Sequence, residues 1–259
     1  MTAGSRHKAP ERGAPGEPRT SSIDRDPLQP GRLIGGRYRL ERPLGRAVWL
    51  ATAGGRRFAL KTGPKPLIER EHGIVSASIH PNVVRVEELV ESGAGPIIVF
   101  EYLPGGDLVS LAGLAPAHWL GAVGGVVAAL GCLHGRGYVH RDLKARNVMF
   151  DAAGRARLID FGSAAGIGSP FTEAGTTAVA VPPGRGGRAV AAADDVYALA
   201  VLLHELIHGA LPGMGRRRTA AGALAAEVDA CLAEPGAGGR NRLERFSTVI
   251  ESLLEKTRA

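Results

Sequence analysis

Cysteine is almost absent: Cys132 and Cys231 are the only two in 259 residues, far apart and each inside an apolar, helix-like run. This excludes a disulfide-stapled framework and reads as two buried free thiols in a reducing, cytoplasmic setting. Aromatic residues are scarce as well, at 5%. No stacking platform and no recognition-helix pattern is present, so nucleic acid is not an expected partner. The net charge of +7 and the pI near 9.9 are then read as solvated surface and tail.

Long apolar runs are missing too. The stretch from Trp119 to Leu133 is shorter than a bilayer span needs, and Gly121, Gly124, Gly125 and Gly131 interrupt it. It predicts a buried helix and no membrane span. The N-terminal region, Met1 to Arg32, lacks the apolar core of a signal peptide and carries Pro10, Pro15, Pro18, Pro27 and Pro30 among Arg, Glu, Ser and Gly. We expect a disordered Pro/Arg-rich tail over residues 1–35. No His or Cys spacing suits a structural metal. What remains is a chain with 44% hydrophobic residues, enough for one two-lobed domain or two small ones.

The most informative stretch runs from His140 to Asn147, HRDLKARN, and is followed by Asp160-Phe161-Gly162. Between them lie an apolar run (Val148-Met149-Phe150), a turn (Asp151-Ala152-Ala153-Gly154) and a second apolar pair (Leu158-Ile159). This pattern predicts a β-hairpin that delivers both polar clusters to one end. Asp142, Asn147 and Asp160 then share a small space, and crowded carboxylates need cations; hard oxygen ligands of this kind suit Mg²⁺ carried by a nucleotide phosphate. The plainer alternative is two unrelated polar turns.

The pair of motifs resembles the catalytic loop and metal-binding turn of the protein kinases. The resemblance implies that Asp142 accepts the proton of the substrate hydroxyl, that Asn147 and Asp160 hold Mg²⁺, and that Lys144 contacts the γ-phosphate of ATP. Lys144 is similar to the serine/threonine branch and Arg146 to the tyrosine branch. Lys61, in an Ala-x-Lys strand, resembles the lysine on the α- and β-phosphates. Of two candidate partners on the helix expected from Pro66 to Ser78, Glu71 falls where the paired glutamate belongs, and Glu69 is expected on another face. An ordinary surface ion pair is the bland reading of Lys61 and Glu71.

The same resemblance assigns the nucleotide site. Strands at Tyr38–Arg42, Val48–Ala51 and Phe58–Lys61 form a meander, in which the family's G-x-G-x-x-G phosphate loop is shortened to Gly45-Arg46-Ala47. The run Pro96–Phe100 leads to a connection where the backbone of Glu101 and Leu103 would bond adenine. Phe100 would stand at the back of the pocket and Asp107 would reach the ribose. Val48, Ala59 and Met149 would sandwich the ring, although each alone is as plausible as plain core. After Gly162 a polar stretch resembles an activation segment. Thr172 stands where an activating phosphate is often carried, with Arg141 as its partner, and Val181-Pro182-Pro183 replaces Ala-Pro-Glu. Asp195 matches a buried aspartate that binds catalytic-loop N–H groups. Arg216-Arg217-Arg218 reads as a solvated loop, with docking of an acidic substrate as the weaker alternative.

The resemblance therefore implies an α+β, two-lobed fold over residues 36–259. A small β-rich N-lobe with one helix (about 36–101) precedes a larger, mainly α-helical C-lobe (about 102–259). It implies an ATP- and Mg²⁺-dependent serine/threonine kinase acting on a protein substrate, itself included. One alternative is a pseudokinase-type binding module with weak transfer or none, favoured by the shortened loop and the missing glutamate at Pro183; a second is a small-molecule phosphotransferase of kinase-like fold, against which Arg141, Gly175-Thr176 and the Asp195 helix favour a protein substrate.

Overall fold

The computed structural model describes residues 28–170, 188–214, 222–234 and 238–258. Its N-terminal part is a six-stranded sheet of order β1-β2-β3-β4-β6-β5: β1 (Leu33–Ile34), β2 (Tyr38–Pro43), β3 (Val48–Ala53), β4 (Arg56–Lys61), β5 (Val86–Ser92) and β6 (Gly95–Glu101). Gly54 and Gly55 close the β3–β4 hairpin with φ of +57° and +76°. A two-residue turn with both φ positive matches strand twist, and glycine adopts it without steric cost. Ala53 consequently faces Arg56, and the register carries Val48 opposite Lys61.

Both faces of this sheet are covered. One packs Ile34, Tyr38, Leu40, Ala51, Phe58, Leu60, Ile97 and Val99 into a core of their own. The other turns Ile98 and Phe100 toward helix α1 (Lys65–Ala77) and the main core. Consecutive buried residues at Ile97, Ile98 and Val99 are what a strand buried on two faces requires. Strand β1 belongs to this sheet. Ile34 is 1% exposed, so the packed chain includes residues that the sequence reading left in the tail.

Strand β5 was not predicted at all. Its sequence, VEELVES, has no clean alternation because the register shifts between Val86 and Glu88 on this edge strand, where Glu87 and Glu88 pair with Arg56 and Arg37.

The second part is helical. Helix α2 (Leu120–Gly135) buries Val123, Val126, Leu130 and Leu133 in one apolar cluster with residues of α3 (Ala192–His208), α4 (Ala223–Ala233) and α5 (Gly239–Arg258), and packs on α5. Gly125 of α2 leaves room for Asn82, whose amide would collide with a Cβ there. Short pairs β7 (Tyr138–Val139) with β10 (Ala165–Gly166), and β8 (Val148–Phe150) with β9 (Ala156–Leu158), lie between α2 and the sheet. The β8–β9 hairpin is the predicted one. Its turn is held by Asp151 Oδ1, which accepts from the N–H groups of Ala153 and Arg155 at 2.9 Å each.

Both thiols are free; Cys231 is buried, but Cys132 is partly exposed beside Arg136, against the expectation that both would be buried. Among the described residues no helix is long and apolar enough to cross a membrane.

Candidate active site

The site is anchored from below by Asp195, in the first turn of α3 and fully buried. Its Oδ2 accepts from the N–H of His140 at 2.8 Å and meets His134 Nε2 at 2.8 Å; its Oδ1 accepts from the N–H of Arg141 at 2.8 Å. Burial alone would raise its pKa. The bond to His134, the charges of His134 and His140 and the Arg141 N–H outweigh that and hold it below the ordinary carboxylate value. Arg141 adopts a left-handed backbone, φ 68°, which is rare outside glycine and is kept only where surrounding bonds over-determine it.

From that anchor the loop presents Asp142. Its Oδ2 accepts from Lys144 Nζ at 2.7 Å and from Asn147 Nδ2 at 2.9 Å, and Asn147 also donates to the Asp142 carbonyl at 2.7 Å. The opposite oxygen, Oδ1, is buried and has no hydrogen-bond partner among the described residues. The loop is tied to the second motif by backbone: Ile159 N–H donates to the Asn147 carbonyl at 2.9 Å. His140 Nε2 sits 3.0 Å from the Ile159 carbonyl, and its ring meets Phe161 edge-on at 4.8 Å. Asp160 follows directly, itself left-handed at φ 62°.

Lys61 reaches across from β4. Its Nζ donates to Glu71 Oε1 at 2.8 Å and to Asp160 Oδ1 at 2.6 Å. Glu71 also accepts from the Phe161 N–H at 3.1 Å and is 2% exposed. Burial raises the Glu71 pKa more than Lys61 lowers it. For Lys61 burial pulls the pKa down, but Glu71 and Asp160 leave it net raised; for Asp160 burial pushes the pKa up, but the charge and hydrogen bond of Lys61, with smaller help from His140 and the Gly162 N–H, leave it lowered. Glu69 faces elsewhere, 3.6 Å from Lys65 on the exposed side of α1.

Between sheet and hairpin lies a cleft of about 560 Å³, within the usual range for a small-molecule site. Gly45, Val48, Ala59, Lys61, Glu71, Phe100, Glu101, Leu103, Met149 and Asp160 line it. Asp107 is not part of that lining: its Oδ1 accepts from the Val109 N–H at 3.2 Å and caps a short 3₁₀ turn. The Glu101 carboxylate points away from the cleft, accepting from the Arg85 N–H at 2.8 Å.

A family model described as "Protein kinase domain" matches residues 56–257, a span that holds all of this polar constellation. The chain belongs to the protein kinase family. CBL-interacting protein kinase 16 of Oryza sativa subsp. japonica is 35% identical over 207 residues, covering 70% of this kinase and 45% of that one. Serine/threonine-protein kinase PkaA of Streptomyces coelicolor is 33% identical, covering 70% and 40%. The DNA damage-responsive serine/threonine-protein kinase RqkA of Deinococcus radiodurans is 35% identical, covering 73% and 32%. The kinase thus spans less than half the length of these relatives. Among solved structures, the Cydia pomonella granulovirus kinase PK-1 superposes with a TM-score of 0.62 at 23% identity, covering 70% of this chain and 72% of that one, and so shares the fold.

Sequence reasoning missed several parts of the kinase site. His134 has no role in the sequence reading, yet it shares Asp195; a histidine in the last turn of an apolar helix is the available signal. Val84 and Ile159 complete the apolar lining, but nothing in sequence separates them from core. Arg70 of α1 donates to the Gly162 carbonyl, close to the Arg141 bond with the Ser163 carbonyl at 3.3 Å. Thr172, Gly175-Thr176, Val181-Pro182-Pro183 and Arg216-Arg217-Arg218 lie outside the described residues.

Proposed function

We propose that this kinase transfers the γ-phosphoryl group of Mg-ATP to serine or threonine hydroxyls of a protein. The observation that carries the reading is Asp142: a buried carboxylate with one oxygen held by Lys144 and Asn147 and the other, Oδ1, without a partner among the described residues. A buried acceptor left in that state is costly. A substrate hydroxyl would supply the missing donor.

The residues present also fit the nucleotide and its metal. Asp160 and Asn147 offer hard oxygens, and no group of three or more His, Cys, Asp or Glu forms an all-protein cage among the described residues. That suits Mg²⁺, which takes one or two protein oxygens and fills its shell with phosphate and water. Bound Mg-ATP supplies the electrophilic phosphorus and a cation that neutralises charge on the phosphates. In this reading Lys61, oriented by Glu71, binds the α- and β-phosphates. Asp142 Oδ1 orients the hydroxyl and accepts its proton, and Lys144 Nζ stabilises charge on the moving group. Val48, Ala59 and Met149 enclose adenine, the backbone of Glu101 and Leu103 bonds its edge, and Gly45 borders the phosphates. Asp107 would serve the ribose with the oxygen not used in its cap.

The test is incubation of the purified protein with labelled ATP, Mg²⁺ and generic protein substrates, beside Asp142→Asn. Transfer by the parent and its loss in the variant are expected. Nucleotide binding with no transfer by either would instead leave a binding module.

Self-phosphorylation at Thr172 is part of the proposal. Arg141 and Arg70 stand together where the chain leaves Gly162 and Ser163. Burial, and next the like charge of Arg70, push the Arg141 pKa down. Two cations held this close at the root of the segment favour a phosphate arriving on it. Mass spectrometry should find Thr172 modified in active protein, and full activity of Thr172→Ala with phosphate elsewhere would remove the assignment.

A further inference from the structure

The roof of the cleft is the turn from Leu44 to Ala47 between β2 and β3. Its backbone is largely committed to the hairpin. The N–H groups of Leu44 and Gly45 both donate to the Val48 carbonyl, at 2.8 and 3.3 Å, and the Ala47 carbonyl accepts from the Thr62 N–H at 2.9 Å. Gly45 has no positive φ, and a Cβ on it would meet nothing within 4 Å. The turn is a tight hairpin end that leaves only the N–H groups of Arg46 and Ala47 without a hydrogen-bond partner among the described residues. It also lies outside the span that the family model matches, which begins at Arg56.

Cationic charge in the cleft is scarce for an anionic ligand. With the Glu101 carboxylate turned away toward Arg85, the charged groups lining it are the cations Arg46 and Lys61 and the anions Glu71 and Asp160. Lys61 is already bonded to two carboxylates, so its charge is largely met before any ligand arrives. Arg46 is exposed at the tip of the roof, and among the described residues its guanidinium makes no ion pair or hydrogen bond. A guanidinium presents several N–H donors in a planar fork that matches phosphate oxygens.

We infer that Arg46 is a phosphate-binding residue, a side-chain clamp on the polyphosphate of the bound nucleotide that supplements the few donors the tight turn leaves on its backbone. The inference rests on the nucleotide reading above and adds to it a selectivity. Affinity should depend on the number of phosphates through Arg46, while the nucleoside is held independently by the apolar walls. Because the turn is exposed and Arg46 buries nothing, substitution there leaves the fold intact.

Calorimetry with Mg²⁺ present, using ATP, ADP and adenosine as probes, tests it on the parent, Arg46→Ala, Arg46→Lys and Arg42→Ala. Arg42 is an exposed arginine of the same hairpin that does not line the cleft, so it controls for general electrostatic attraction. Arg46→Ala should weaken ATP at least about tenfold, the loss of one or two charge-assisted bonds, and leave adenosine within about twofold. Arg46→Lys should recover part of the loss, and Arg42→Ala should match the parent. Unchanged ATP binding in Arg46→Ala, equal losses for ATP and adenosine, or an equal loss in Arg42→Ala would each overturn the clamp while leaving the nucleotide reading standing. A parent that binds adenosine and ATP alike only weakly, or not at all, would overturn the nucleotide reading and the clamp with it.

Discussion

At the scale of single residues, the site is a set of charges whose cost of burial is met by specific partners. Lys61 touches Glu71 and Asp160 but fills no core volume, so Lys61→Met and Asp160→Ala should keep the fold and lower phosphoryl transfer by at least about a hundredfold. Labelled-ATP assays beside thermal melting check both halves of that statement. Asp195 behaves differently, because its removal strands buried donors. Asp195→Ala should cost about 1–3 kcal/mol for each N–H left unpaired. Its pKa in the folded protein is lowered, so its contribution is present above the ordinary carboxylate range and is lost as pH falls through the depressed value. Denaturant titrations of parent and Asp195→Asn should therefore differ at neutral pH and converge only in strong acid. A gap that stayed constant into acid would mean that the carboxylate charge is not what holds the loop.

Elements meet behind the cleft through one side chain. Arg157 of β9 donates from Nη1 to the Pro81 carbonyl at 2.6 Å, pairs through Nη2 with Asp151 at 3.1 Å and lies 3.7 Å from Glu101. It thereby ties the link after α1, the end of β6 and the β8–β9 turn. Backbone pairing runs alongside: Leu158 N–H donates to the Asn82 carbonyl at 2.8 Å and Val84 N–H to the Leu158 carbonyl at 3.0 Å. Arg157→Ala should lower stability by about 1.5–3 kcal/mol, the value of hydrogen bonds involving a charged group in a partly buried site. Urea unfolding measures it, and a change under about 0.5 kcal/mol, the usual range for surface substitutions, would reduce the contact to surface decoration.

For the whole molecule, the two cores decide where the folded unit begins. The outer face of the sheet is closed by Ile34 and by bonds from Gly31 N–H to the Leu40 carbonyl at 2.7 Å and from Leu40 N–H to the Arg32 carbonyl at 2.8 Å. A protein starting at Gly36, the boundary that composition suggested, loses that strand. It should be less stable than one starting at Leu28 by about 1.5–3 kcal/mol from the Ile34 side chain alone. Equal denaturation midpoints for the two would show that β1 is dispensable.

Local chemistry made much of this protein legible in its sequence. The meander, the β8–β9 hairpin and the helices expected near Pro66 to Ser78 and Trp119 to Leu133 follow from residue pattern and turn residues, and ordered polar motifs pointed to Lys61, Glu71, Asp142, Asn147 and Asp160 as neighbours. Spacing along the chain could say which residues carry charge, and the family's order of motifs could say which ones converge. Other features were decided by the folded chain. Strand β5 pairs along β6, and His134 joins Asp195 from another helix; these bonds link groups that only packing brings within reach. Asp107 spends its carboxylate on a local cap and the turn at Gly45 closes on Val48; here a near neighbour in sequence takes a group that could have faced a ligand, and the backbone conformation that settles this competition is set by the surrounding packing.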